Sequence, residues 1–116
     1  MSIRNQIIFL LLFVFSSCEN DKPTKPKVFI EKEKMEQILM EIHISDAIAE
    51  EKANGNAALE KNIADQGLAQ ILANYKLSKP QFDSVYVYYV RQPDVLNEMY
   101  VNIITELSKK QAQLAR

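Results

Sequence analysis

The feature that most constrains this fold is a helical spacing of apolar residues that recurs in four segments after residue 30. In the first segment, Met35, Ile38, Leu39 and Ile42 lie within about 100° of arc on a helical wheel, as a core-facing stripe does. No run of alternating apolar and polar residues between turn residues indicates a strand. The pattern predicts an all-α fold, a small bundle of about four helices in a domain over residues 30–116.

Short breaks separate the predicted helices. The sequence Asn-Gly-Asn at 54–56 ends the first helix, Ser78 and Gln81 form a capping box at the start of the third, and Pro93 suits the first turn of the fourth. Gly67 lies inside the second helix and indicates a kink, a close approach of another helix or a tolerated weak spot. The expected helices cover about 32–52, 57–75, 78–91 and the residues from 93 onward.

The start of the chain has the layout of a secretory signal. Residues 7–15 are all apolar and span roughly 14 Å as a helix, about half of a bilayer's hydrocarbon core. Because Arg4 precedes this run and two serines follow it, residues 1–17 are predicted to be a signal peptide. The sequence Phe-Ser-Ser-Cys that ends at Cys18 resembles the lipobox of bacterial lipoproteins, with phenylalanine where leucine is usual. The resemblance implies a diacylglycerol on the thiol of Cys18; the alternative is an ordinary signal peptide with a chance cysteine.

A polar, proline- and lysine-rich linker is predicted over residues 18–29. Its residues 19–27 contain two prolines, and an extended chain of that length spans roughly 28 Å. Glu19 and Asp21 resemble the acidic export signal that follows the cysteine in surface-displayed Bacteroidetes lipoproteins, although a solvated linker explains the same charges.

The composition after residue 17 excludes several classes of function. Without Arg4, 13 basic side chains stand against 15 acidic ones, so this balance offers no basic stripe for nucleic acid and no polybasic attraction to anionic lipid. One cysteine and one histidine argue against internal disulfides and against a His/Cys metal site. No metal and no cofactor is therefore predicted.

Asp46 is the most informative polar residue of the predicted domain. On the helical wheel it lies between Leu39 and Ile42, in the apolar stripe, where a carboxylate needs a hydrogen-bonding partner. It is either a structural acid that accepts tyrosine hydroxyls or the acid of a small polar binding site. The candidate partners are Tyr75, Tyr86, Tyr88, Tyr89, Tyr100 and Arg91.

Catalysis is not supported by the sequence. His43 lies three residues before Asp46, close enough to touch it on a helix, but no serine or cysteine nucleophile has a supporting motif. The tyrosines of residues 85–90 have no basic residues between them, unlike the stacking platforms of nucleic-acid binders. They are interpreted as core packing, with a partner-binding aromatic patch around Tyr88 as the alternative.

The order of these motifs resembles the family of Bacteroidetes lipoproteins known as domain of unknown function 4296. The likeness covers roughly residues 30–107. It consists of a His-x-x-acid step, a Tyr-Lys turn leading to a phenylalanine, a Tyr-Tyr pair and a last helix that starts at a proline. In this chain those positions are His43, Asp46, Tyr75, Lys76, Phe82, Tyr88, Tyr89, Pro93 and Tyr100. The resemblance implies no activity and no catalytic residue.

Two functions follow as expectations. The first is a non-enzymatic interaction module, tethered to an envelope membrane through lipid on Cys18 on the periplasmic side or at the outer membrane, that binds an envelope protein. The second is a small-ligand or peptide-binding domain with a polar site around Asp46, His43 and the tyrosines.

Overall fold

A computed structural model describes residues 22–116, and the described part is helical with no strand. The four helices are α1 (Lys32–Ala53), α2 (Ala57–Asn74), α3 (Lys79–Val90) and α4 (Pro93–Leu114). The predicted all-α fold is confirmed, and the boundaries of the first three helices agree with expectation to within about one residue. The predicted signal peptide and Cys18 lie outside the described residues.

The Asn-Gly-Asn sequence makes the tight turn between α1 and α2. Asn54 and Gly55 both have positive φ, 47° and 86°, a conformation that these two residue types tolerate best. The side chain of Asn56 then caps α2 by accepting a hydrogen bond of 3.0 Å from the N–H of Leu59. The turn therefore ends one helix and begins the next.

The end of α2 adopts a Schellman motif without the usual glycine. The N–H of Leu77 donates to the carbonyl of Leu72 (2.9 Å) and the N–H of Lys76 to that of Ala73 (3.0 Å). Lys76 has φ 56°, so a side chain occupies the left-handed position that glycine prefers. This turn sends the chain into α3, where the predicted capping box of Ser78 and Gln81 is confirmed in both directions.

The hydrophobic core lies where the first half of α1 meets α3, α4 and the end of α2. Met35 and Ile38 of α1, Val85 of α3 and Met99 of α4 are its most completely buried large side chains. The core cluster consists of Ile30, Met35, Ile38, Leu39, Ile71, Leu72, Phe82, Val85, Tyr89, Met99 and Ile103. Among the described residues the buried core thus begins at Ile30, and Phe29 packs against it in a partly buried position.

Two polar pairs set the direction of α4 along α1. Lys32 donates to Glu98 (2.5 Å) and Asn102 donates to Glu36 (2.9 Å), so the pairing advances four residues along both helices. The two helices therefore run in the same general direction on this side of the core. The bond to Glu98 raises the pKa of Lys32.

The second half of α1 and the first half of α2 form an arm that we call the hairpin, residues 43–68. Beyond Leu39 the buried residues of α1 are only Ala49 and Ala53. A Cβ at Gly67 would lie 2.1 Å from the Oγ of Ser45, so α1 and α2 approach closely here. Of the alternatives for Gly67, the close helix approach is the one that the structure shows.

The last residues of the predicted linker pack against α3. We call residues 23–30 the strap, because Phe29 lies against Tyr88 and Tyr89, and Ile30 is buried in the core. The Nζ of Lys25 lies 4.3 Å from the centre of the Phe29 ring. The packed unit therefore includes residues that the sequence pattern assigns to the linker.

Candidate functional site

The structure does not gather the predicted polar cluster into one site. Asp46 is exposed, so the expectation that it is buried in the apolar stripe is wrong. The helical wheel describes the direction of Asp46 around α1. In this second half of α1, however, the helix buries only small residues against α2. Within residues 22–116 no helix covers Asp46, and its side chain is exposed to solvent.

His43 is exposed on α1, and its ring lies beside an aromatic neighbour of α4. The centres of the His43 and Tyr100 rings are 5.8 Å apart, with the ring planes inclined by 54°. Burial, and then a hydrogen bond with Tyr86, raises the pKa of Tyr100. Within the described chain no hydrogen bond joins His43 to Asp46, so the pair does not have the geometry of an oriented base.

Tyr75 ties the end of α2 to the middle of α1. Its hydroxyl donates to a carboxylate oxygen of Glu41 at 2.6 Å in a partly buried position. This bond, followed by burial, raises the pKa of Tyr75 to about 12. A tyrosine does bind a carboxylate of α1, as the sequence analysis expects, but the acid is Glu41 and not Asp46.

Tyr88 and Tyr89 form, with the strap, the densest aromatic contact of the described chain. The buried hydroxyl of Tyr89 donates to the carbonyl oxygen of Ile30 at 2.7 Å, and burial raises the pKa of Tyr89 to about 12. The Phe29 ring meets Tyr88 edge-on, with centres 5.3 Å apart and planes at 89°. The pair of tyrosines thus holds the strap, and the strap covers part of the aromatic patch that was the alternative interpretation.

A shallow cleft of about 380 Å³ runs between the strap and α3. Pro23, Thr24 and Pro26 form one wall. Asp83, Ser84, Val87, Tyr88 and Arg91 form the other. Arg91 is exposed at the rim, and Asp83 is already paired with Lys79 at 2.6 Å. The cleft therefore presents the exposed guanidinium of Arg91, which has no ion-pair partner among residues 22–116, beside apolar surface.

Large apolar side chains are also exposed outside the core. On α1, Ile44 and Ile48 are 39% and 43% exposed and form what we call the outer stripe, on the side of the helix turned away from Ala49. On α4, Val101 and Ile104 are 54% and 61% exposed. Exposed apolar side chains that lie together and are rimmed by polar residues mark a surface for contact with another molecule.

Residues 22–116 contain neither a metal-binding cluster nor a helix that could span a membrane. No group of three or more His, Cys, Asp or Glu side chains is placed to hold a metal ion in this part of the chain. None of the described helices is long and apolar enough to cross a membrane.

Two contacts escape local sequence patterns. Glu41 lies off the apolar stripe of α1, and Phe29 precedes the first helix, so neither is marked by helical spacing. The sequence signal for Phe29 is its position in the apolar run Val28-Phe29-Ile30, which follows a polar linker.

Comparison with protein-family models matches residues 26–113 to the domain of unknown function DUF4296. The chain therefore belongs to this family. The match begins inside the strap, four residues before the domain boundary expected from the sequence. A search of curated proteins found no match, and a search of solved structures found none.

Proposed function

From this family membership we propose that the protein is a lipid-anchored lipoprotein of the bacterial cell envelope that acts as a non-enzymatic interaction module. The anchor rests on the sequence before the folded unit. An apolar run of nine residues is too short to hold a bilayer as a helix, and the one cysteine of the chain follows it at the lipobox position. A diacylglycerol on Cys18 supplies two acyl chains, which is enough for stable anchoring where one chain is not.

The outer stripe of α1 is the observation that carries the interaction role. Ile44 and Ile48 are each about two-fifths exposed, one turn apart, on an arm that stands clear of the core. Glu51 lies about one turn after them on the same side, and Glu41 lies one turn before them at the edge towards α2, where it accepts the hydrogen bond of Tyr75. The stripe is therefore an apolar strip with an acidic border.

This border favours a different protein over a second copy as the partner. If the outer stripe packed against itself in a two-fold dimer, carboxylates would meet carboxylates. Parallel α1 helices would bring each glutamate against its own copy, and antiparallel helices would bring Glu41 against Glu51. Like charges at a contact are unfavourable, whereas basic residues beside an apolar strip would complement them. The proposed partner is an envelope protein with an apolar helix or groove bordered by lysine or arginine.

The anchor is tested by detergent partitioning of the full-length protein expressed in a bacterial host. The native protein should enter the detergent phase, and Cys18→Ala should leave it for the aqueous phase. Ser17→Ala changes a neighbouring residue but keeps the thiol, so it should partition as the native protein does. Detergent partitioning that survives Cys18→Ala would refute the lipid anchor.

The docking surface is tested with two matched pairs of substitutions. Ile44→Glu with Ile48→Glu changes the outer stripe, and Val101→Glu with Ile104→Glu places the same charges on the more exposed apolar residues of α4. Both proteins should keep their unfolding midpoint to within a few degrees, because none of the four side chains belongs to the core cluster. After cross-linking in intact envelopes, the first pair should lose a cross-linked species that the second keeps. If only the Val101→Glu, Ile104→Glu protein lost the cross-linked species, the contact would lie on α4, and the outer stripe would be refuted as the docking surface.

A further inference from the structure

The strap and the outward face of α3 carry exposed apolar side chains among basic ones. Val28, Val87 and Val90 are 39%, 45% and 43% exposed. The basic residues of segments 22–28 and 79–91, which add Lys22 before the strap and Arg91 after α3, are Lys22, Lys25, Lys27, Lys79 and Arg91. In the same two segments, 22–28 and 79–91, Asp83 is the one acidic residue. We call this surface the strap face.

The hairpin at the other end of α1 has the opposite charge. Residues 43–68 contain five acidic side chains against two basic ones, whereas the strap face has five basic against one acidic. Ile48 follows Lys32 by 16 residues along one helix, a distance of about 24 Å. The total charge of the chain is therefore near zero because the basic strap face and the acidic hairpin offset each other.

The tether proposed above would begin at the basic end. Five residues lead from Cys18 to Pro23, the first strap residue in the cleft, and such a length of chain cannot exceed about 17 Å. Because the strap is held on α3 through Phe29 and Ile30, lipid on Cys18 would keep Pro23, at one end of the strap face, within that distance of the bilayer.

We propose that the strap face is a membrane-docking surface, which lies on the anionic headgroups of the bilayer that holds the lipid and points the hairpin away from it. Basic side chains beside exposed valines fit a headgroup layer, and the acidic hairpin is repelled by it. Glu19 and Asp21 of the tether offset two of the basic charges, so the contact is weak by itself and depends on the tether for its local concentration. The inference rests on the proposed anchor, and it adds an orientation to it.

The orientation can be measured without any cellular lipidation. The chain from Cys18 onward has one thiol, which can be coupled to a maleimide headgroup lipid in vesicles, and it has no tryptophan. Tryptophan reporters at Val90→Trp and Ile48→Trp replace two side chains of equal exposure, 43% each, on the strap face and on the hairpin. Energy transfer from each tryptophan to a dansyl-headgroup lipid then reports which end lies near the bilayer.

On vesicles of one-third phosphatidylglycerol in phosphatidylcholine, transfer from Val90→Trp should exceed that from Ile48→Trp several-fold. High salt, or pure phosphatidylcholine, should reduce this difference. Lys25→Glu with Lys27→Glu should also reduce it, whereas Lys109→Glu with Lys110→Glu on α4 should not.

Equal transfer from the two reporters on anionic vesicles, or greater transfer from Ile48→Trp, would overturn the proposed docking surface. An unfolding curve for each tethered variant shows that the domain is folded when it is measured. Because the tether is made chemically, this result is independent of the detergent partitioning that tests the anchor. A domain that docks here but is not lipidated in cells would refute the anchor alone.

Discussion

Removing the Phe29 ring tests whether the strap is part of the folded unit. Phe29 is half-buried, and full burial of a phenylalanine side chain contributes about 1.5–3 kcal/mol. Half of that, with about 0.5–1 kcal/mol for the edge-on contact with Tyr88, gives a loss of about 2 kcal/mol for Phe29→Ala. For a domain of this size the melting temperature should fall by about 8–15 °C.

The assay is thermal and urea unfolding of the chain from residue 18 onward, followed by circular dichroism. Val28→Ala changes the neighbouring strap residue, which is 39% exposed, and should cost less than about 0.5 kcal/mol. A cost of Phe29→Ala no larger than that of Val28→Ala would show that the strap does not pack on α3 in solution. The membrane orientation argued above would fall with it.

A double-mutant cycle separates the aromatic contact from other effects of the truncation. Phe29→Ala and Tyr88→Ala should show a coupling free energy of about 0.5–1 kcal/mol, because their rings meet edge-on at 5.3 Å. The same cycle between Phe29 and Tyr75, which bonds to α1 elsewhere, should show coupling near zero. Equal coupling in both cycles would contradict a local contact.

Three smaller changes test other contacts. Lys76→Gly should stabilise the protein in urea by about 0.5–1 kcal/mol, since it removes a side chain from a residue at φ 56°; no gain would refute that backbone conformation. Gly67→Ala should add about 1 kcal/mol in a Ser45→Ala background and less with Ser45 present, because the new Cβ meets the Ser45 Oγ; equal effects in both backgrounds would refute the close approach. The raised pKa of Tyr75 means that its neutral form is favoured in the fold, so its contribution is present below pH 10 and is lost as the pH rises towards 12. Glu41→Gln should move that loss to lower pH, and an unchanged alkaline profile would argue against the hydrogen bond.

The helices could be predicted because the residues that begin and end them are close together in the sequence. Ser78 and Gln81 satisfy each other across one turn, and the Asn-Gly-Asn sequence at 54–56 supplies both positive φ angles and the next cap. Such signals depend on residues within four positions, which the sequence shows directly. The fold class followed from them.

Asp46 marks the limit of helical spacing as a guide to burial. A wheel gives the direction of a side chain around its own helix, but burial also depends on which neighbouring helix covers that level. The core residues of α1 end at Leu39, and beyond it the buried residues are two alanines facing α2. The extent of the other helices along α1 is a tertiary property, so the wheel placed Asp46 in a core that does not reach it.

The strap could not be predicted for a related reason. Phe29 finds its partner 59 residues later at Tyr88, and the hydroxyl of Tyr89 bonds Ile30 across the same sequence distance. No local period connects such pairs, and the prolines around Phe29 indicate an extended linker in either case. Tyr89 lies in the core and Tyr88 packs against it partly buried, but the contact of both with the strap needed the structure.

The most direct test of the proposed anchor is the intact mass of the full-length protein purified in detergent from the envelopes of a bacterium that expresses it. We expect a chain that starts at Cys18, with a diacylglycerol in thioether linkage on its sulfur. A chain that starts at any other residue, or that starts at Cys18 with a free thiol, would contradict the proposal that lipid holds this helical domain at a membrane.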